Sequence, residues 1–589
     1  MSNNKGSAFD LSLFKRLMEH ARQYKITFYG VAFAAILVSL FAVARPYLLK
    51  ITVDDYITHK DYGGLLQFTI LMLVVLLCGV ISQLAFIYYA NWLGQSIIKD
   101  IRIQLFRHML QFKMKYYDNS SIGILVTRAV SDMQRIGEIF SQGLFMIVSD
   151  LLQMFVVATV MLFTSWKLSL IVFSVLPVIL YATRLFQKAM KVAFTDVRAQ
   201  VANLNSFVQE RISGMKIVQL YTREDTEYEK FTEINQKHKK AWLKTVWYNS
   251  IFFPVAELAS SVTIGLVVWY GGLRTIAGDD LELGSIFMFI EMSQMLFRPL
   301  RQIADKFNTL QMGMVAANRV YGILDTDSSI EDKGNITAEN LRGNIRFRDV
   351  HFGYLQDEEV LHGISFDVTA GQTIAIVGAT GAGKSTIINL LNRFYEINSG
   401  EIRIDDVNIK DYTLNSLRGR IAVVLQDVFL FADTILHNIT LKNPEITEEQ
   451  VHNAAKEIGI HDFIMSLPGG YHYNVKERGT MLSSGQRQLI AFLRAYVSNP
   501  DILVLDEATS SVDSHSEKLI QNATEKITEK RTSIVIAHRL ATIKKADKIL
   551  VMDTGKVVES GTHRELLKKD DGYYKNLYEV QFMAEEETI

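Results

Sequence analysis

GATGAGKST, residues 378–386, follows the short β-branched run QTIAIV (372–377) and precedes the apolar helical pattern IINLLNRFY (387–395). Strand, glycine-rich loop and helix in that order form a phosphate-binding loop. Gly378, Gly381 and Gly383 free the backbone to turn its N–H groups inward around phosphate oxygens, with Thr380 and Ala382 completing the cradle. The helix that follows adds the positive end of its dipole. Lys384 would reach the β- and γ-phosphates, Ser385 would hold Mg²⁺ through its hydroxyl, and Thr386 ends the motif. The C-terminal half is therefore expected to be an α/β P-loop domain whose ligand is ATP with Mg²⁺.

Other polar groups fall where such a sheet would collect them. DILVLDEATS (501–510) is a strand with Asp506 at its C-terminal end, where ligands bind in open α/β sheets. Asp506 would hold Mg²⁺ directly or through water, and Glu507 would poise a water for in-line attack on the γ-phosphorus. TSIVIAHRL (532–540) ends its strand on His538, a sensor of the γ-phosphate or an orienter of the attacking water. Gln426, in IAVVLQDVFLF (421–431), would reach the metal or the water with its amide, and Tyr354, in HFGY (351–354), offers a ring face for adenine. Catalytic candidates are thus Glu507, His538, Gln426 and Lys384; metal candidates are Ser385, Gln426 and Asp506.

The N-terminal half has another character. Apolar runs long enough to cross a bilayer occur at 26–49, 65–92, 137–163, 167–184, 247–270 and 283–303, the last with Pro299 inside it. TSW alone separates the third from the fourth, a tight hairpin. The long connections IKDIRIQLFRHMLQFKMKYYD (98–118) and QERISGMKIVQLYTRED (209–225) are rich in Lys and Arg, whereas DDYITHKD (54–61) and IAGDDLELG (276–284) are acidic. Excess Lys/Arg marks the cytoplasmic side, so the long connections and both chain ends are expected there. Residues 1–25 lack a signal-peptide pattern and read as an amphipathic helix at the membrane surface, capped by Ser12 or Asp10.

Glu257 and Glu291 lie within spanning runs, where a carboxylate must face a cavity or a partner. Substrate contact and structural pairing are both open for them. Met288, Met292 and Met295 share a helical face and form either an adaptable apolar wall or plain packing.

At 589 residues the chain exceeds one hydrophobic core, and it is 49% hydrophobic with a formal net charge of -1. That balance argues against a nucleic-acid binder. The single cysteine, Cys78, excludes a disulfide framework and reads as a buried small hydrophobe.

LSSGQRQ (482–488) then supplies a serine- and glycine-rich front to the apolar helix LIAFLRAYV. Together with GATGAGKST, VVLQD, ILVLDEATS, SSVD and IAHR, in that order, it resembles the ATP-binding cassette (ABC) exporters of half-transporter type, over nearly the whole chain. The resemblance implies an α-helical six-span transmembrane domain (type I ABC exporter, type IV transporter fold) followed by an α/β P-loop ABC nucleotide-binding domain. The expected parts are an amphipathic elbow helix at 1–25, the transmembrane domain at 26–320, a connector at 321–338 and the nucleotide-binding domain at 339–589. It further implies that Ser483, Gly485 and Gln486 of the signature face the γ-phosphate held by another subunit's Lys384, that Tyr354 stacks on adenine, that Asp513 lies at the dimer interface and that Glu477, Arg478 and Gly479 form the loop that touches the coupling helices.

One signature per chain implies a dimer enclosing two ATP molecules. Ser484 stands where the family's commonest pattern has glycine; serine enters a left-handed conformation at a cost, and its Cβ crowds the approach of phosphate. A symmetric homodimer and a heterodimer with one degenerate site both follow, and the heterodimer is favoured. The implied activity is ATP-driven export of small amphipathic or hydrophobic compounds across the cytoplasmic membrane, with lipid or lipid A flipping as the alternative. A soluble cassette ATPase working on nucleic acid or ribosomes is the reading from another class. No N-terminal peptidase is expected, so processing of peptide leaders is not.

Overall fold

The computed structural model describes residues 10–277, 281–355, 358–506, 514–537 and 539–581. Glu507, Asp513 and His538 lie outside the described residues. The chain divides into two units, Met1–Leu110 with Ser121–Asp327, and Gln111–Ser120 with Ser328–Ile589.

In the first unit Asp10, rather than Ser12, caps helix Leu11–Ala21. Its carboxylate accepts from the backbone N–H groups of Ser12 and Leu13 at 2.9 and 3.2 Å, and the Ser12 hydroxyl donates to the same oxygen. Among the described residues five helical stretches are long and apolar enough to cross a membrane: Leu11–Ile57, Tyr62–Leu110, Ile122–Thr164, Trp166–Ser213 and Glu224–Ile276. At 1.5 Å per residue the longest of these reach about 70–80 Å, more than twice the hydrocarbon thickness. Their ends therefore run on beyond the bilayer. The TSW hairpin forms at Ser165, which is extended between helices ending at Thr164 and starting at Trp166.

The sixth expected run lies in helix Leu283–Leu324, whose apolar start is diluted by Glu291, Gln294 and Arg298. Among the described residues, five helices meet the length and apolarity of a span where the sequence led us to expect six. Residues 321–324, expected in the connector, belong to the end of this helix. Glu291 pairs with Arg45 of helix Lys25–Ile51 at 3.2 Å, the structural alternative for that carboxylate. Glu257 is exposed on helix Glu224–Ile276. Met288 and Met292 are fully buried against Phe289, Val157 and Met161, so they are packing; Met295 sits half-buried at the core's edge. Cys78 is half-buried rather than buried.

The second unit holds two sheets. An antiparallel sheet has the order β2-β1-β4-β5, with β1 Ile345–Phe352, β2 Leu361–Val368, β4 Ser399–Ile404 and β5 Val407–Asn408. The larger sheet has the order β10-β9-β3-β8-β7-β6, with β3 Thr373–Gly378, β6 Ile421–Val424, β7 Ile502–Asp506, β8 Thr532–Ile536, β9 Lys548–Asp553 and β10 Lys556–Gly561. It is parallel except at β10, which pairs antiparallel with β9. Both faces are covered, as a parallel sheet requires. Ala375 and Val377 of β3 point into one apolar layer, Ile374 and Ile376 into the other. The period of two in the strand thus divides a continuous apolar run between two cores.

Register fixes where the functional ends fall. Ile376 pairs with Ile536, and Ile536 with Asp506. Asp506 and Ile536 therefore end their strands level with Ile376, and β3 runs two residues further to Gly378, which puts the phosphate loop and Asp506 at one edge of the sheet.

Candidate functional site: a phosphate-binding cavity

That edge carries a cavity of about 340 Å³ lined by Thr380, Gly381, Lys384, Ser385, Gln426 and Asp506, among others. The loop reaches its shape through left-handed backbone at two glycines. Gly381 has φ 86° and Gly383 has φ 94°, a region costly for residues with a Cβ. A Cβ on Gly383 would also come 2.7 Å from Leu361 Cδ2, so this position is closed to larger residues twice over. At Gly378 a Cβ would meet the Met552 carbonyl oxygen at 2.1 Å, because the neighbouring strand lies directly against it. Ala382 is buried beneath the loop.

Helix Lys384–Leu391 begins immediately after Gly383. The Lys384 ammonium is nearly buried and donates to the carbonyls of Gly378 and Ala379 at 2.8 and 2.9 Å. Burial pushes its pKa below the ordinary lysine value, and the Asp506 carboxylate opposes that shift. The Ser385 hydroxyl donates to Asp506 Oδ2 at 3.4 Å. A hydroxyl and a carboxylate at that separation, with the exposed Gln426 amide on the same cavity, make the hard oxygen donor set that suits Mg²⁺. Ser385, Asp506 and Gln426 would hold that ion, whose chemistry is to neutralise phosphate charge. Backbone N–H groups and Lys384 would bind and orient a triphosphate there.

Tyr354 lies to one side. Its hydroxyl donates to Thr386 Oγ1 at 3.2 Å and accepts from Asn389 Nδ2 at 3.1 Å, so it is pegged to the phosphate-loop helix. Its ring meets Phe352 and Tyr395 edge-on, at 4.9 and 5.0 Å. Tyr354 lines a neighbouring cavity of about 310 Å³ with Lys113, Lys115, Arg393 and Tyr395. Sequence reading missed Tyr395, Asn389 and the two lysines. The lysines come from a segment that the chain order assigns to the membrane half, and no local pattern announces their place beside Tyr354.

The signature stands apart: Ser483, Gly485 and Gln486 are not among the residues lining the phosphate cavity of their own chain. Ser483 is the N-cap of helix Ser484–Val497. Its hydroxyl accepts from the Gln486 N–H at 3.2 Å, while Gln486 Oε1 accepts from the Ser483 N–H at 3.0 Å, a reciprocal capping box. Gly485 is buried within the first turn. Ser484 opens the helix, exposed, and is not among the residues with positive φ. The expectation that this position strains a serine backbone is therefore corrected: the first residue of a helix is right-handed, and serine adopts it without penalty. Upstream, Lys476, Arg478 and Gly479 have φ of 59°, 54° and 66°. A Cβ on Gly479 would crowd Leu430 and Arg487 at 2.9 and 3.1 Å, so a residue with a side chain is excluded there as well.

Comparison with known proteins agrees with this architecture. Residues 28–300 match the ABC transporter transmembrane region and residues 361–510 match the ABC transporter family. An uncharacterized ABC transporter ATP-binding protein of Bacillus subtilis, YknV, is 34% identical over 577 residues, covering 98% of this chain and 95% of its own. ATP-dependent lipid A-core flippases of Mannheimia succiniciproducens and Haemophilus influenzae are 35% and 34% identical over 571 and 574 residues, each alignment covering 97% of both chains. The chain belongs to the ABC transporters and has the half-transporter arrangement, one transmembrane region followed by one nucleotide-binding domain. It is a multi-pass membrane protein with a cytoplasmic nucleotide-binding domain, and it couples ATP hydrolysis to the transport of a hydrophobic or amphipathic substance. The soluble-ATPase reading is set aside by the transmembrane region.

Proposed function

We propose that this ABC half-transporter is a lipid-translocating exporter: it moves an amphipathic lipid between leaflets, within the broader class of amphiphile export expected from the sequence. The observation that carries the reading is a cavity of about 280 Å³ in the membrane unit. Gln83, Asp150, Gln153, Arg298 and Gln302 bring polar groups to it, and Phe86 is among its apolar residues. Asp150 is ion-paired with Lys306, so the acidic group is already neutralised. A polar corner holding Arg298, which has no ion-pair partner among the described residues, bounded by apolar wall, suits a headgroup with acyl chains attached. The lipid A-core flippases among the relatives support the same class of cargo.

In this reading helix Leu283–Leu324 is the sixth span, the transmembrane domain has the type IV fold, and the parts keep their expected bounds except that the connector starts after Leu324. Lys384 grips the β- and γ-phosphates, Ser385, Asp506 and Gln426 hold Mg²⁺, Glu507 polarises the attacking water and His538 senses the γ-phosphate. Tyr354 stacks on adenine. The signature of a second chain, through its Ser483, Gly485 and Gln486, closes over the phosphates from the opposite side, with Asp513 at the seam. ATP binding draws the two cassettes together, the cavity turns outward, and hydrolysis resets it. The second chain is another half-transporter. Ser484 sits in right-handed helical backbone, so one of the two grounds for a heterodimer falls, and the crowding of phosphate by the serine Cβ is the other; we take the symmetric homodimer as the assembly, with the heterodimer as the alternative.

Reconstitution in proteoliposomes with fluorescent phospholipid tests the function. ATP-dependent loss of probe from one leaflet, abolished by Lys384→Ala and weakened by Arg298→Gln, is the expected result. Transport of amphipathic dyes with no movement of any lipid would overturn the lipid reading.

A further inference from the structure

The groove beside the first helix carries charge without counter-charge. Lys15, Arg22 and Lys25, all exposed, line one cavity of about 440 Å³ together with Phe28, Tyr29 and a single carboxylate, Glu19. Among the described residues none of these three cations is ion-paired. Arg16 is differently employed: it forks onto the Asp325 carboxylate at 2.6 and 2.7 Å and lies 4.2 Å over the Tyr321 ring. Directly after the cationic groove the helix Lys25–Ile51 exposes Ile26, Tyr29 and Phe33 at 91, 69 and 62%. Cations and then large apolar side chains, in that order along one entering helix, match the headgroup and acyl layers of a membrane surface.

We propose that this groove is a binding site for the headgroup of an anionic phospholipid of the cytoplasmic leaflet. Lys15, Arg22 and Lys25 contact the phosphate-bearing headgroup, and the acyl chains lie along Ile26, Tyr29 and Phe33. The apolar strip selects a lipid over free phosphate, because a soluble anion gains nothing from it. The net positive charge of the groove, three cations against Glu19, selects an anionic headgroup over a zwitterionic one. A lipid seated there holds helix Leu11–Ala21 at the surface. Through the Arg16–Asp325 fork it also braces the end of helix Leu283–Leu324, whose C-cap is Asp325. The site is separate from the Arg298 cavity and does not rest on the cargo reading.

Native mass spectrometry of the purified full chain, titrated with phosphatidylglycerol or phosphatidylcholine, tests the site. The wild type should retain phosphatidylglycerol in preference, by roughly ten-fold. Lys15→Gln/Arg22→Gln/Lys25→Gln should lose that preference, and Arg22→Gln alone should lose part of it. Glycerol phosphate in excess should fail to displace the lipid. Equal retention of the two lipids by the wild type, an unchanged preference in both groove variants, or displacement by glycerol phosphate would each overturn the proposal.

Discussion

The Tyr395 hydroxyl donates to the carboxylate of Asp118, a residue 277 positions earlier in the chain. Asp118 ends the short helix Met114–Asp118, and Tyr395 abuts Tyr354, the residue we assign to adenine, at 5.0 Å. Burial, followed by the Asp118 carboxylate, pushes the Tyr395 phenol above its ordinary pKa, so the proton stays in place to donate. Tyr354 and the segment that carries Asp118 are thus joined through Tyr395. Tyr395→Phe removes only the hydroxyl. A hydrogen bond to a charged acceptor contributes about 1.5–3 kcal/mol, so ATP binding measured with a fluorescent analogue should persist while cargo-stimulated ATPase falls several-fold. Asp118→Asn should act alike, and the two changes together should not add. Unaltered stimulation in Tyr395→Phe would remove this contact from the coupling path. An unchanged ATP KM in Tyr354→Ala would instead count against the adenine assignment alone.

Lys384→Ala deletes the ammonium that lies over the phosphate loop and should abolish productive ATP binding, seen as a large rise in KM. Glu507→Gln keeps the size and removes the base. ATP binding should survive and turnover should drop by about a hundred-fold or more. Wild-type turnover in either variant refutes the corresponding role.

Ser484→Gly asks whether the signature is degenerate. The first helical residue needs no left-handed conformation, so glycine there should change helix stability by only about 0.5 kcal/mol and leave ATPase within about two-fold. A gain of ten-fold or more would restore the degenerate-site reading. The same preparation answers the assembly question: a chain expressed alone should run as a dimer with ATPase activity.

Arg45 and Glu291, residues 246 positions apart in the chain, are paired between two helices. Arg45→Glu and Glu291→Arg should each lower transport by bringing like charges together, and the double exchange should recover most of it. Both side chains are partly exposed, so the stability effect should be small and the readout is transport. Failure of the exchange to recover activity would assign one of these residues to cargo.

The phosphate loop was legible because its chemistry is local. Glycines, lysine and serine sit within nine consecutive residues, and strand and helix flank them in the sequence itself. The strand-end residues Asp506 and Gln426 were also legible, since a β-branched run points to its own end, and the register of the sheet then places those ends together. What stayed hidden depends on distant partners. Nothing near Glu291 names Arg45, and nothing near Tyr395 names Asp118. Ser484 was misjudged for a different reason: the letter pattern reports a replaced glycine, but not that the backbone there is helical. The sixth span blurred because Glu291, Gln294 and Arg298 lower the apolarity of helix Leu283–Leu324 without shortening it. Asp10 prevailed over Ser12 as a cap because the helix begins one residue before Ser12.

The cassette unit includes Gln111–Ser120, ten residues borrowed from between two membrane helices. Phe112 forms an isolated antiparallel bridge with Ser329, and the Lys113 N–H donates to the Ser328 carbonyl at 2.7 Å. Synthesis runs from the N-terminus, so this segment leaves the ribosome long before residues 328–329 and Tyr395 exist. The joint must close late, after the membrane helices on either side of it have been inserted. A cassette produced as a fragment starting after Asp327 lacks that piece of itself and presents the seat uncovered. Truncated or stalled chains carry the same exposed seat from the other side, which makes completion of this joint a natural mark by which a finished subunit differs from an unfinished one.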